Sequence, residues 1–181
     1  MLKILKIFFL LLLIIFLFYL LVPSPDFPEK LPNSLQSGEP ADIETTLRRG
    51  YYTDSSRSEV ISHYFKAFSK SKFLNLPLPT YILNYPPEDA QTIIRDQTRS
   101  TYLEEIVHPF RESIFVNGFE PKENKDSIQI NGKFWNEKVI VRYYPSQSII
   151  RIIFALVTTT LIYIITKEWF LTFRKIRKWK K

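Results

Sequence analysis

The chain has no cysteine, four glycines and two histidines among its 181 residues. The absence of cysteine excludes disulfides, thiolate nucleophiles and metal sites with cysteine ligands, and it leaves the cellular compartment open. The four glycines are far apart, which excludes a glycine-rich phosphate loop, a dinucleotide fingerprint and the Gly-x-Ser-x-Gly elbow of hydrolases. Two distant histidines offer no metal site, so the sequence predicts neither a cofactor nor a metal.

Glu168 is the single acidic residue outside the middle of the chain, residues 23–147. The net charge is +7, but residues 23–147 carry 15 basic and 17 acidic residues, a net charge of −2. The basic excess therefore belongs to the two ends, and we expect no nucleic-acid binding from it. Bases beside apolar segments indicate membrane topology and attraction to anionic lipid headgroups.

The first apolar segment is residues 1–22. An uninterrupted apolar run extends from Ile7 to Val22 behind two lysines, and it would span about 24 Å as a helix. A cleaved signal peptide has the same layout. The residues before Pro23 include no small side chains at the spacing that a signal peptidase needs, so we interpret this segment as an uncleaved signal anchor, a transmembrane helix.

A second transmembrane helix is predicted at residues 148–168. No charged residue occurs between Ile152 and Thr166, and a basic tail, residues 169–181, follows. By the positive-inside rule this asymmetry places the C-terminus in the cytoplasm, and the N-terminal lysines place the N-terminus there as well. Residues 23–147 would then be extracytoplasmic. They contain no Asn-x-Ser/Thr acceptor, which favours a prokaryotic cell membrane.

Aromatic and basic side chains flank the second apolar segment. Such side chains lie at headgroup level in membrane proteins, and long basic ones extend from the apolar region toward water. The predicted membrane-interface residues are Tyr143, Tyr144, Arg151, Lys167, Trp169, Arg174, Lys175, Arg177 and Lys178. The tail is expected to bind anionic headgroups.

The region between the apolar segments divides into a linker and a domain. Residues 23–42 hold five of the 12 prolines and are predicted to form a proline-rich, semi-rigid linker. Residues 43–147 are predicted to form a small α+β domain, in which two helices pack on an antiparallel sheet of about five strands. The predicted strands are residues 46–53, 80–84, 102–107, 112–119, 126–130 and 133–144, the last two forming one hairpin.

Local signals define the predicted helices. Ser56 and Glu59 have capping-box spacing before an amphipathic stripe, which predicts a helix over about residues 57–69. Pro86-Pro87 followed by two acidic residues predicts the start of a second helix that ends near Gln97.

Two Asn-Gly pairs indicate turns or irregularities within the strands. Asn131-Gly132 predicts a tight hairpin, because both central residues of that turn need positive φ. Asn117-Gly118 is interpreted as a bulge or bend.

His108 is the one residue whose neighbours suggest chemistry. It stands at a predicted strand end among Glu104, Glu105, Arg111 and Glu112. A pair of His108 with Glu104 or Glu105 would be suited to general acid–base catalysis. The competing interpretation is a set of charges that pair at the rim of a sheet. Because no catalytic motif accompanies them, we predict that the chain is not an enzyme.

The leading functional hypothesis is a two-span membrane protein whose extracytoplasmic domain acts by interaction. It would be a non-catalytic subunit or scaffold of a membrane or cell-envelope complex, with another membrane or envelope protein as partner. Two alternatives stay open: a membrane-bound enzyme that uses His108, and an extracytoplasmic ligand-binding sensor domain. The sequence predicts neither the identity of the partner nor an oligomeric state.

Overall fold

The computed structural model describes residues 2–90 and 99–179. The chain divides into two compact units: residues 1–22 with 146–181, and residues 23–145.

The first unit consists of two helices, α1 (Leu2–Leu21) and α3 (Ser148–Trp179). Lys3–Leu21 and Ser148–Ile176 are long and apolar enough to cross a membrane, as predicted from their length and composition. The predicted tail does not begin a new element, because α3 continues through it to Trp179.

The helix α1 packs along one face of α3. Arg151, Ala155 and Thr159 are buried at four-residue spacing, which places them on the same side of a helix. The rings of Phe9 and Tyr163 meet edge to face, with centroids 5.6 Å apart. The two apolar helices therefore form a hairpin-like pair rather than two isolated segments.

The second unit is an α+β domain with a six-stranded antiparallel sheet. The strands are β1 Leu35–Gln36, β2 Arg48–Thr53, β3 Tyr81–Tyr85, β4 Tyr102–Val107, β5 Ser113–Phe119, β6 Ile128–Ile130, β7 Lys133–Trp135 and β8 Glu137–Tyr144. The order in the large sheet is β1-β2-β8-β5-β4-β3, and β6 pairs with β7 in a separate two-stranded sheet.

The predicted hairpin is confirmed. Ile130 pairs with Lys133, and both residues of the turn between them, Asn131 and Gly132, have positive φ (53° and 75°). The predicted long second strand of this hairpin is interrupted at Asn136, so that β7 belongs to the small sheet and β8 to the large one.

The predicted irregularity at Asn117-Gly118 is wrong. The strand β5 pairs with β4 in continuous register through both residues, with Tyr102 opposite Gly118. A side chain at Gly118 would lie 2.0 Å from the Tyr102 ring. Glycine is required here because an aromatic ring covers the strand, and the backbone itself stays regular.

The first predicted helix is confirmed as α2 (Arg57–Phe68), with a capping box at its start. The Ser56 backbone N–H donates to the Glu59 carboxylate at 2.8 Å. The helix packs its apolar stripe on one face of the sheet. The core between them includes Val60, Tyr64, Phe68, Ile106, Ile114, Val116, Val139 and Val141.

The predicted linker contributes to the compact unit, which begins at Pro23. Leu31 is buried in the α2 core, and β1 pairs with β2 at the edge of the sheet. The side chain of Lys138 lies 2.9 Å from Glu39 and 2.8 Å from Asp42. These contacts hold residues 23–42 against the sheet, whereas the sequence placed the start of the domain at residue 43.

The second predicted helix begins as a 3-10 turn at Pro87–Asp89. Ala90, which follows, is fully buried against the face of the sheet opposite α2. The remainder of this predicted helix lies outside the described residues.

Candidate functional site

His108 is fully buried behind α2. Its ring stacks on Phe68, with centroids 4.3 Å apart and planes 2° from parallel. Its Nδ1 lies 2.9 Å from Oε1 of Glu112, so the carboxylate beside the imidazole comes from the far side of the β4–β5 turn. Within the described part of the chain, Nε2 of His108 is buried without a hydrogen-bond partner.

Glu112 is the centre of a buried polar cluster. Its Oε1 also accepts hydrogen bonds from Nε and Nη2 of Arg111, at 3.2 and 3.0 Å. Its Oε2 accepts one from Oγ of Ser24, at 2.8 Å. A carboxylate that is surrounded in this way is fixed by hydrogen bonds and by an opposite charge. The arrangement suits a structural link between the β4–β5 turn and the start of the domain.

Glu104 and Glu105 do not join His108. Glu104 is on the same face of the chain as His108, but the four residues between them along an extended strand correspond to roughly 13 Å. The Glu104 carboxylate instead accepts hydrogen bonds from Arg57 at 2.6 and 2.8 Å. Glu105 points to the opposite face and accepts a hydrogen bond from the Tyr85 hydroxyl at 2.7 Å. That bond is the main cause that raises the pKa of Tyr85 to about 12.

The structure contains another buried carboxyl, Glu137, that sequence reasoning missed. Glu137 is 1% exposed, and its Oε2 accepts a hydrogen bond from the Tyr102 hydroxyl at 3.0 Å. Burial raises the pKa of Glu137 to about 7; the charge of Glu120 adds to this rise, and the Tyr102 bond opposes it. Among the described residues, Oε1 of Glu137 and the hydroxyl of Tyr64 are buried without a hydrogen-bond partner.

A sequence signal for Glu137 exists in the alternation of β8. Glu137 has the same parity as Val139, Val141 and Tyr143, all of which face the α2 core. An acid at a core-facing strand position is a candidate for an elevated pKa.

An open groove runs beside α2 at the edge of the sheet. It has a volume of about 760 Å³, and its apolar floor includes Ile61, Phe65 and Ile82. Its polar rim holds the Arg57–Glu104 ion pair and the carboxylate of Glu120. We call it the α2 groove. With one cation and two carboxylates, its charged groups sum to one negative charge.

The strand β3 forms the edge of the sheet on the side of the α2 groove. It pairs with β4 on one side only, and no other strand of the described residues pairs with it. Tyr81, Ile82 and Leu83 are 58, 45 and 43% exposed, on both faces of the strand. An edge strand that carries exposed apolar residues and no charge is a template for strand addition.

The predicted membrane-interface residues fall into three groups. Arg151 is buried in the helical unit and donates to the carbonyls of Leu20 and Ser146 at 3.1 and 2.8 Å, so it ties α3 to the end of α1. Tyr143 is buried in the domain, and the Tyr144 ring lies against Phe115.

The remaining predicted interface residues belong to α3. Trp169 is 65% exposed, Lys167 is half-buried, and Arg174 and Lys175 are exposed. Arg177 and Lys178 are part of the helix, but their side chains lie outside the described set.

Groups that would bind a metal do not occur among residues 2–90 and 99–179, where no three His, Asp or Glu side chains converge. Comparisons with protein-family models, curated proteins and solved structures found no match.

Proposed function

We propose that this chain is a two-span membrane protein whose extracytoplasmic α+β domain is a non-catalytic interaction module of a membrane or cell-envelope complex. The exposed apolar edge of β3 is the observation that carries this proposal. Extended segments add to such edges through backbone hydrogen bonds, while side-chain pockets beside the edge give specificity.

The α2 groove defines the chemistry of the partner. An extended segment on β3 would place alternate side chains over the apolar floor formed by Ile61, Phe65 and Ile82. The rim has a net negative charge because it holds Glu104 and Glu120 beside Arg57. We therefore propose an extended segment of another membrane or envelope protein, with apolar residues in alternation and a basic residue at the rim.

The polar clusters of the domain also favour interaction over catalysis. His108 and Glu112 are fully buried, and Nδ1 of His108 and the carboxylate oxygens of Glu112 are directed at each other and at Arg111 and Ser24. A general acid or base must come within hydrogen-bond reach of a substrate, and these two buried groups are placed for a structural role instead.

The proposed topology is tested with single cysteines, since the chain has none of its own. Lys122→Cys, at an exposed site of the domain, should react with a membrane-impermeant maleimide on intact cells. Lys175→Cys, in the exposed end of α3, should react only after permeabilisation. The reverse pattern, or equal labelling of both, would contradict an extracytoplasmic domain.

The proposed binding edge is tested with Leu83→Lys. Leu83 pairs with Glu105, so a lysine there keeps an opposite charge beside it while it blocks strand addition. A photo-crosslinking residue at Tyr81 should give a discrete adduct in native membranes, and Leu83→Lys should abolish both this adduct and co-purification of the crosslinked protein.

The matched control is Gln129→Lys, which adds the same charge at the exposed position of β6 and should leave the adduct unchanged. Equal loss in the two lysine variants, or no adduct from Tyr81, would show that β3 is not the binding edge.

A further inference from the structure

The first residues of the α+β domain meet two of its turns. Oγ of Ser24 donates to Oε2 of Glu112 at the β4–β5 turn, at 2.8 Å. Oγ of Ser71 donates to the carbonyl of Pro23 at 3.0 Å, which brings the loop after α2 to the same place. These two turns therefore adjoin the point at which the chain enters the domain.

The chain leaves the domain at the same end of the sheet. Ser113, at the start of β5, pairs with Tyr144, the last residue of β8. Pro145 is the final residue of the unit. In sequence, one residue separates α1 from Pro23, and two separate Pro145 from α3. If α1 and α3 cross a bilayer, both connections from the domain to the membrane leave from this end.

The β4–β5 turn presents a large apolar side chain at this end. Phe110 is 60% exposed and has a φ of 61°. The Arg111 N–H donates to the His108 carbonyl at 3.0 Å, with Pro109 and Phe110 as the central residues. A turn with proline first and positive φ second normally takes glycine or asparagine at the second position.

The loop after α2 has the same feature. Leu74 is 78% exposed and Phe73 is 51% exposed. Leu74 and Asn75 have φ values of 53° and 51°, and the Leu76 N–H donates to the Phe73 carbonyl at 3.2 Å. Two successive positive φ values belong to a turn that favours glycine, asparagine and aspartate, so leucine is costly at its first central position.

Single exposed apolar residues are common on protein surfaces. Here three of them occupy one end of the domain, and Leu74 and Phe110 hold backbone positions that disfavour their side chains. Lys70 and Lys72 are exposed beside the same loop, and Lys72 forms an ion pair with the carboxylate of Asp26. Apolar tips flanked by bases match the boundary between lipid acyl chains and phosphate headgroups.

We propose that Phe73, Leu74 and Phe110, which we call the apolar rim, insert into the headgroup region of the bilayer that α1 and α3 cross. The occupant of this surface is lipid. The proposal rests on the two-span topology proposed above, because that topology brings the rim to the membrane. It goes beyond it, since the domain itself then binds the membrane and is held in one orientation.

The test uses the full chain in vesicles of phosphatidylcholine and phosphatidylglycerol. An environment-sensitive fluorophore is attached at Leu74→Cys, at Phe110→Cys and, as a control, at Lys122→Cys. The control follows Phe119, which pairs with Lys138 at the other end of the sheet. Lipids with a spin label high in the acyl chain should quench the two rim probes several-fold more than the control probe.

A second variant separates membrane contact from folding. Leu74→Asn combined with Phe110→Gly places residues that tolerate positive φ at both turns. The domain should unfold at an equal or higher urea concentration than the parent chain. A probe at Lys70→Cys, quenched in the parent chain, should lose most of its quenching in this variant. Retained quenching would overturn the proposal.

The possible failures are distinguishable. Accessible Lys122→Cys and protected Lys175→Cys, with rim probes quenched no more than the control, would overturn the rim and leave the two-span topology standing. The reverse labelling pattern would overturn the topology and the rim together. Disulfide formation between Leu74→Cys residues of two copies, without lipid quenching, would replace lipid by a second copy and would also overturn the proposal.

Discussion

Replacement of Glu112 by alanine is expected to destabilise the α+β domain by about 3–5 kcal/mol, the usual cost of removing one partner of a buried ion pair. Glu112 is fully buried and accepts hydrogen bonds from Arg111 and Ser24, with His108 Nδ1 at 2.9 Å. The variant would leave the Arg111 guanidinium in the interior without this carboxylate. Urea unfolding of the full chain in mild detergent, followed by pulse proteolysis, measures the change.

The control for this prediction is Glu105→Ala. Glu105 is half-buried and accepts one hydrogen bond from the Tyr85 hydroxyl, so its removal should cost about 1 kcal/mol. A difference of less than about 1.4 kcal/mol between the two variants is less than a tenfold change in the folding equilibrium. That result would mean that the Glu112 cluster contributes little to the fold.

The same cluster shows how far local pattern predicts a site. The sequence placed His108 at a strand end among four charged residues and proposed Glu104 or Glu105 as its partner. Period two of a strand sends Glu105 to the opposite face, and Glu104 lies too far along β4. Glu112 reaches His108 because the turn folds back, and the fold of a turn is set by the φ of Phe110, which its residue type does not suggest.

The elements that depend on local signals were predicted most closely. The capping box at Ser56 precedes α2, the Asn131-Gly132 turn joins β6 to β7, and β4 begins and ends where the alternation does. The misses depend on contacts between distant residues. Leu35 becomes a strand residue by pairing with Tyr52, and Gly118 is explained by a ring from β4.

The packing of residues 23–42 against the sheet also depends on contacts between distant residues. A run of prolines predicts an extended chain, and extended chain suits both a free spacer and a segment laid along a sheet. Burial of Leu31 and the pairing of Lys138 with Glu39 and Asp42 select the second. Composition alone carries no information on which long-range contacts an extended segment makes.

The stability of the domain is expected to fall as pH rises from about 5 to about 7, because of Glu137. Burial raises the pKa of this carboxyl from 4.5 to about 7, so the folded state holds a proton that the unfolded state has lost. The unfolded state binds fewer protons in this window, and the free energy of unfolding therefore decreases with pH until the folded carboxyl ionises. The loss is on the order of 2–3 kcal/mol.

Glu137→Gln should remove this loss, since glutamine keeps the shape of the protonated acid and accepts the hydrogen bond from Tyr102. The parent and the variant should be similarly stable at pH 5, and the variant should be more stable by about 2 kcal/mol at pH 8. The difference between the two curves isolates Glu137 from other titrating groups. The carboxyls of Glu39 and Asp54, whose pKa values are lowered by bonds to lysines, act below this window.

Parallel curves for the parent and Glu137→Gln between pH 5 and 8 would contradict a raised pKa at Glu137. If the curves diverge as expected, ionisation of Glu137 weakens the sheet beneath α2 at neutral pH. Glu137 is the first residue of β8, and β8 lies between β2 and β5 at the centre of the sheet. A charge at this buried position destabilises the folded state, so the domain would be most stable in a mildly acidic compartment.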